Sequence, residues 1–296
     1  MNQQRQRIGF IGLGLMGQAF TRRLTARGYA VTGYDLVAEK IEQAAGHGVA
    51  PAATAAELTA ASDLVLLCVT STDAVEAAVF GPGGVVEAAT PDRLLVDHST
   101  TIVGRSREMA GRLAEATGMA WVDAPVSGGP PAAEAGSLAI MAGGDPADIA
   151  RAEGVMADLA AQFSHMGPSG AGQVTKMINQ VLVLNNFCVL AEALALAEAG
   201  GIDAGKIPEA LAAGHAGSNL LQAMFPRMIA RDFAPAGYAR QILKDLDMVQ
   251  DLARELKVPT PMSSQAASLF RILNSKGHAE LDGIAVLKLY DRNDTV

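Results

Sequence analysis

Lys176 and Asn179 stand three residues apart in an otherwise apolar run, so on a helix they share a face, which Asn186 extends. The run opens on Gly170-Ala171-Gly172-Gln173-Val174-Thr175-Lys176-Met177-Ile178-Asn179-Gln180 and stays apolar with little interruption over residues 181–196. That continuity leaves almost no polar face and predicts a helix buried between other elements. A lysine in its first turns either snorkels to water or is there for chemistry. Two other groups bear on that choice. Ser127-Gly128-Gly129 offers a hydroxyl and successive N–H groups unobstructed by side chains, a cradle suited to a carboxylate, although the same residues would also make a plain turn. Lys244 is a second lysine amid apolar neighbours, at the start of the helical pattern over residues 238–248.

A further constellation, Gly12-Leu13-Gly14-Leu15-Met16-Gly17, is a G-x-G-x-x-G string. In a chain with 31 glycines among 296 residues the string alone says little. Its context says more: a buried strand over residues 7–12, a helix over 15–27 ending at Gly28, a second strand over 30–34, and Asp35 closing it. The first glycine permits the tight turn, the second lets backbone approach a pyrophosphate, and the third lets helix and strand close up. The free N–H groups of the helix N-terminus face the anion. Gly12, Leu13, Gly14, Met16 and Gly17 are therefore expected to hold a dinucleotide. Asp35 would accept both ribose hydroxyls and repel a 2′-phosphate, and no arginine adjoins it, so NAD is favoured over NADP. Asp35 has a structural reading too, as the N-cap of a helix from Val37.

The elements that must position these groups alternate along the first half of the chain. Residues 64–69 read as a fully buried strand, followed by a loop and helix cap at 70–73, and residues 94–97 as another, ending in His98-Ser99-Thr100. The pattern predicts a doubly wound parallel sheet, in which ligands lie beyond the carboxyl ends of strands; Val69, Thr70, Ser99 and Thr100 are thus expected at the cofactor crevice. His98 is expected to be structural. Strands at 138–144 and 162–165 and a helix at 146–161 complete a first domain, residues 1–166. From 167 to 296 only helical patterns follow, interrupted near residues 200–201, 214–218, 233–237 and 257–261.

Bulk properties exclude several classes of function. A net charge of −8 with 18% charged residues and no basic cluster argues against a nucleic-acid surface. Cys68 and Cys188 lie in apolar runs, where buried small hydrophobes are expected rather than a disulfide or a metal site, which suits a reducing cytoplasm. The polar start and the glycine-broken stretch after it make a poor signal peptide, and no membrane span is expected.

These motifs together resemble the β-hydroxyacid dehydrogenase family, over nearly the whole chain. The resemblance rests on Gly9-Phe10-Ile11-Gly12-Leu13-Gly14-Leu15-Met16-Gly17, Asp123-Ala124-Pro125-Val126-Ser127-Gly128-Gly129, the stretch from Gly170 to Asn179, and Lys244-Asp245-Leu246, in the family's order. It implies an α/β Rossmann-type domain joined through a long central helix to an all-α domain. It further implies NAD(P)-dependent oxidation of a small 3-hydroxy acid, and a homodimer or homotetramer built through the helical part. In that family the residue matching Lys176 is the general acid/base, and burial beside a positive nicotinamide would lower its pKa towards that task. Asn179, Ser127, Gly128, Gly129 and Lys244 would then bind substrate. Phosphogluconate dehydrogenases carry a glutamate where this chain has Val183, which speaks against oxidative decarboxylation. An NADPH-dependent imine reductase and a catalytically silent dinucleotide-binding protein share the architecture; Lys176 and Asp35 count against the first, and Lys176, Asn179 and the Ser127-Gly128-Gly129 cradle against the second.

Overall fold

A computed structural model describes residues 6–291, and their contacts divide into two compact units at Lys176/Met177. In the first unit strands and helices alternate: β1 (Ile8–Ile11), α1 (Leu15–Ala26), β2 (Val31–Tyr34), α2 (Ala38–Ala45), β3 (Ala50–Pro51), α3 (Ala55–Ala60), β4 (Leu64–Leu67), α4 (Thr72–Phe80), β5 (Leu94–Asp97), α5 (Val103–Thr117) and β6 (Ala120–Asp123). Then come β7 (Val126–Ser127), α6 (Gly129–Ala135), β8 (Leu138–Gly143), α7 (Pro146–Leu159), β9 (Ala160–Gly167) and the opening turns of α8 (Ala171–Ala199).

The strands form one sheet in the order β3-β2-β1-β4-β5-β6-β8-β7, with β9 on β8. Pairing is parallel from β3 through β6. Strands β1, β4 and β5 are buried along their whole length, because successive side chains enter opposite cores. Leu64, Leu66, Leu94 and Val96 join Phe20 and Leu24 of α1 and Val155 of α7 on one face. Val65, Leu67 and Leu95 join Leu58 of α3, Val75 of α4 and Leu113 of α5 on the other. The chain winds outward from β1 to β3 and returns to β4 on the other side of β1, so the switch point lies at the carboxyl ends of β1 and β4.

The doubly wound parallel sheet expected from the sequence is present from β3 through β6, and an antiparallel strand is added beyond it. β8 runs antiparallel to both β6 and β7. β7 continues the line of β6 past Ala124 and Pro125, since Asp123, Val126 and Ser127 face Gly143, Ile140 and Ala139 in one register; the reversal comes after β7, where the short α6 returns the chain to β8.

The second unit continues α8 and adds α9 (Ile207–Leu211), α10 (Asn219–Ile229), α11 (Ala239–Leu256) and α12 (Pro261–Leu273), with short 3₁₀ and π segments. All the interruptions seen in the sequence fall between these helices. Leu184, Phe187, Ala191 and Leu194 of α8 form its core with Phe225 of α10, Leu246 of α11 and Phe270 of α12. By length and composition α8 is the one described helix that could cross a bilayer, yet here it is the core helix of its unit. It is not buried all round, however. Ile178, Leu182, Val189 and Leu196 are 50–76% exposed. An unbroken apolar run has no periodicity to separate a face buried in the chain's own core from one left at the surface.

Candidate active site

The glycine turn after β1 is built as its three glycines require. Gly12 has φ +93°, and a side-chain carbon there would lie 2.2 Å from the carbonyl oxygen of Cys68. A carbon on Gly17 would lie 2.0 Å from the carbonyl oxygen of Gly12. Gly14 differs: it precedes α1, no side chain caps that helix, and a carbon added to it would meet nothing within 4 Å. Open space over uncapped helix N–H groups suits an anion such as a pyrophosphate.

Leu13, fully buried, is fixed on both sides. Its N–H donates to Asp35 Oδ2 at 2.7 Å, and its carbonyl accepts from Gln18 Nε2 at 3.0 Å, which also donates to the Lys40 carbonyl at 2.8 Å. The other Asp35 oxygen accepts from the Val37 N–H at 2.9 Å and lies 3.6 Å from Lys40 Nζ. Asp35 thus makes an Asx turn before α2, whose N-cap, Val37, has no side-chain bond. Met16 is half-buried, as is Val69, while Thr70 is exposed.

At the end of β5 the chain is held by side chains. Ser99 Oγ accepts from the Val69 N–H at 2.9 Å, joining the ends of β4 and β5, and the Ser99 N–H donates to Asp97 Oδ1 at 2.9 Å. Gln173, fully buried in the first turn of α8, donates through Nε2 to the Ser99 carbonyl at 2.8 Å and accepts at Oε1 from the Thr101 N–H at 3.0 Å. Half-buried Thr100 lies between those two bonds. His98 is structural: Nδ1 donates to the Ala124 carbonyl at 2.7 Å, and the ring stacks on Phe20 at 5.0 Å. Burial holds its pKa down at about 4, so it is neutral.

The N-terminus of α8 is capped by Asp123, the last residue of β6. Its carboxylate accepts the N–H groups of Gly170 at 2.7 Å and Gln173 at 2.9 Å. Burial raises its pKa to about 6, against the opposing pull of those backbone donors. A side chain on Gly172 would lie 2.6 Å from the Asp123 carbonyl oxygen, so glycine lets the helix approach. One turn further, Lys176 is 8% exposed and Nζ donates to the Val126 carbonyl at 2.8 Å. It does not snorkel to water. Its amine is brought beside β7, next to Ser127 and Gly128, the latter with φ +128°, while Gly129 opens α6.

In the second unit a polar chain links two predicted residues through two that the sequence did not single out. Asn179 Nδ2 donates to Gln180 Oε1 at 3.0 Å, Gln180 Nε2 donates to Asp245 Oδ2, and Asp245 Oδ1 pairs with Lys244 Nζ at 3.0 Å. Gln180 and Asp245 are buried. Asn186, by contrast, is exposed and donates back to the Leu182 carbonyl. The missed residues, Gln173, Gln180 and Asp245, shared one signal: a polar side chain in an apolar helical stretch, beside or one turn from a residue already singled out.

With an opening over the first helix of a doubly wound sheet and an amine buried at its far end, the chain has the build of a nicotinamide-dependent dehydrogenase. Residues 7–167 match the family described as the NAD binding domain of 6-phosphogluconate dehydrogenase. Residues 170–290 match that described as NAD-binding of NADP-dependent 3-hydroxyisobutyrate dehydrogenase. The chain belongs to the β-hydroxyacid dehydrogenase family, as an NAD(P)-dependent hydroxy acid dehydrogenase, and the glycine turn and Asp35 fit NAD.

It is 34% identical to the L-threonate dehydrogenase of Cupriavidus necator over 284 residues, covering 96% of this chain and 95% of that one. It is 33% identical to the NAD-dependent L-serine dehydrogenase of Pseudomonas aeruginosa over 293 residues, covering 97% and 98%. Among solved structures, Mycobacterium tuberculosis 3-hydroxyisobutyrate dehydrogenase with L-serine superposes with a TM-score of 0.85 at 30% identity, covering 97% of this chain and all of that one.

Proposed function

We propose that the protein oxidises a short-chain 3-hydroxy acid of the 3-hydroxyisobutyrate, glycerate or threonate type, or reduces the corresponding aldehyde acid, with Lys176 as general acid/base. The carrying observation is the Lys176 amine, buried and hydrogen-bonded to the Val126 carbonyl beside the Ser127-Gly128-Gly129 cradle. A bound NAD would supply the acceptor for the hydride of the alcohol carbon. Lys176 takes the hydroxyl proton in that direction and returns it in the other. The N–H groups of Gly128 and Gly129 and the Ser127 hydroxyl hold the substrate carboxylate, which places the alcohol within reach of the amine. Asn179 binds the alcohol or the acid, and Lys244, steadied by Asp245, adds positive charge for an acid group.

On the cofactor side, Gly12, Leu13, Gly14, Met16 and Gly17 cradle the pyrophosphate. Asp35 accepts the ribose hydroxyls, and Val69, Thr70, Ser99 and Thr100 border the rest of the dinucleotide. The apolar stripe of Ile178, Leu182, Val189 and Leu196 supports a homodimer or homotetramer through the helical part. Cys68 and Cys188 are thiols rather than a disulfide, in accord with a reducing cytoplasm.

Incubating the protein with 3-hydroxyisobutyrate, glycerate, threonate and serine, each with NAD and NADP in parallel, tests the reading through formation of the reduced cofactor. NADH formation on at least one of these acids is expected. Reduction of cyclic imines with NADPH, and turnover of no hydroxy acid, would overturn it.

A further inference from the structure

We infer that Gln173 is a positioning residue that ties the loop at the end of β5 to the turn of α8 carrying Lys176, so that the cofactor-facing loop and the amine are set as one piece. The inference rests on the proposed roles of Lys176, Ser99 and Thr100.

The Gln173 carboxamide engages the carbonyl of Ser99 and the N–H of Thr101, the two backbone groups flanking Thr100. A neighbouring parallel strand would take up those same groups, so one side chain extends the sheet's pairing past the end of β5. The far ends of this link are fixed as well. Ser99 Oγ holds the Val69 N–H, and the Gln173 N–H is held by Asp123, which also caps Gly170. Lys176 follows Gln173 by three positions on the same helix and bonds to Val126. A continuous set of hydrogen bonds therefore runs from the end of β4, through the β5 loop and the first turn of α8, to β7. Gln173 is its middle member.

Only an amide serves there, because the site presents one acceptor and one donor. A carboxylate of the same shape could accept from Thr101 but would face the Ser99 carbonyl with a second acceptor. Protonated, the carboxyl regains a donor and can replace the amide. Burial raises the pKa of such a carboxyl, so that recovery falls at accessible mildly acidic pH.

The test compares wild type, Gln173→Glu and the apolar near-isostere Gln173→Met, measuring NAD affinity by calorimetry and kcat across pH. Other titratable groups near this turn are Asp97 and His98 at the end of β5, Asp123 of β6, Arg107 of α5 and Lys176 itself; they are present in all three proteins, and the ratio to wild type at each pH removes their shared contribution.

For Gln173→Glu, NAD affinity and kcat are expected near wild type at about pH 5 and lower by about tenfold or more at about pH 8. Gln173→Met should be low at every pH. A Gln173→Glu protein that binds NAD and turns over like wild type throughout overturns the inference and leaves the proposed activity standing. A pH-independent defect, equal to that of Gln173→Met, also overturns it, since lost packing would then account for the effect. If no hydroxy acid is turned over but NAD affinity of Gln173→Glu still falls with rising pH, the inference stands and the proposed activity fails.

Discussion

Asp123 Oδ1 accepts the backbone N–H of Gly170 at 2.7 Å, so the last residue of β6 caps the helix that carries Lys176. Its pKa is raised from 3.8 to about 6, with burial as the leading cause. Between roughly pH 4 and pH 6 the folded chain therefore retains a proton that the unfolded chain has released. Stability falls as pH rises through that window, by on the order of 2–3 kcal/mol, and then levels off. Asp123→Asn should remove this dependence and flatten the melting temperature across the window. Near neutrality the variant is relieved of the buried charge and loses one of the two acceptors at the start of α8, so the two effects oppose each other. An unchanged pH slope in the variant would show that another group titrates there.

Lys176→Met should lower kcat by about a hundred- to ten-thousand-fold, since proton transfer loses its side chain. NAD affinity should stay within about threefold of wild type, a difference well below 1 kcal/mol. The unbranched apolar chain keeps most of the packing and loses the bond to the Val126 carbonyl. Single-turnover kinetics with a substrate found in the panel would separate chemistry from binding. Retention of the wild-type rate would remove Lys176 from the mechanism.

Much of this arrangement is legible in the order of the amino acids alone. The strands β1, β4 and β5 announce themselves as short apolar runs, and the turn of three glycines has only one arrangement compatible with a strand on its N-terminal side and a helix on the other. Illegible are the relations between distant positions that are polar at both ends. Gln180 and Asp245 are 65 residues apart, and no local pattern says that one donates to the other. Gln173 reads as one more polar residue near a helix start until its two backbone partners, 72 and 74 positions away, are seen. The exposed stripe on α8 is hidden for another reason. Hydropathy reports that Leu182 avoids water and not where it finds shelter, and here its own chain leaves it 63% exposed.

Asp35→Asn should shift cofactor preference towards NADP. The carboxylate that repels a 2′-phosphate is removed, and Lys40, 3.6 Å from it, is freed to meet one. The ratio of kcat/KM for NADP over NAD is expected to rise by about tenfold or more, equivalent to ~1.4 kcal/mol. Affinity for NAD should fall at the same time, because the neutral amide accepts ribose hydroxyls less strongly and weakens the bond that fixes the Leu13 N–H. No change in the ratio would assign Asp35 to the turn alone.

Gly14 and Gly17, three positions apart, should respond in opposite ways to alanine. Gly14 has φ −71° and ψ −163°, a conformation open to any residue, and an added carbon there meets no atom within 4 Å. Gly14→Ala should thus melt like wild type and yet bind NAD about tenfold or more weakly, since the methyl group occupies the space that the pyrophosphate needs. At Gly17 the added carbon would sit 2.0 Å from the Gly12 carbonyl oxygen, a clash with backbone that only movement of α1 relieves. Gly17→Ala is expected to lose about 2 kcal/mol or more of stability, visible as a melting temperature lower by at least about 4 °C without any ligand present. Calorimetric melting of both proteins with and without NAD decides the matter. If Gly14→Ala melts early, the open space over α1 is needed for folding; if it melts normally and binds NAD as tightly as wild type, the pyrophosphate lies elsewhere.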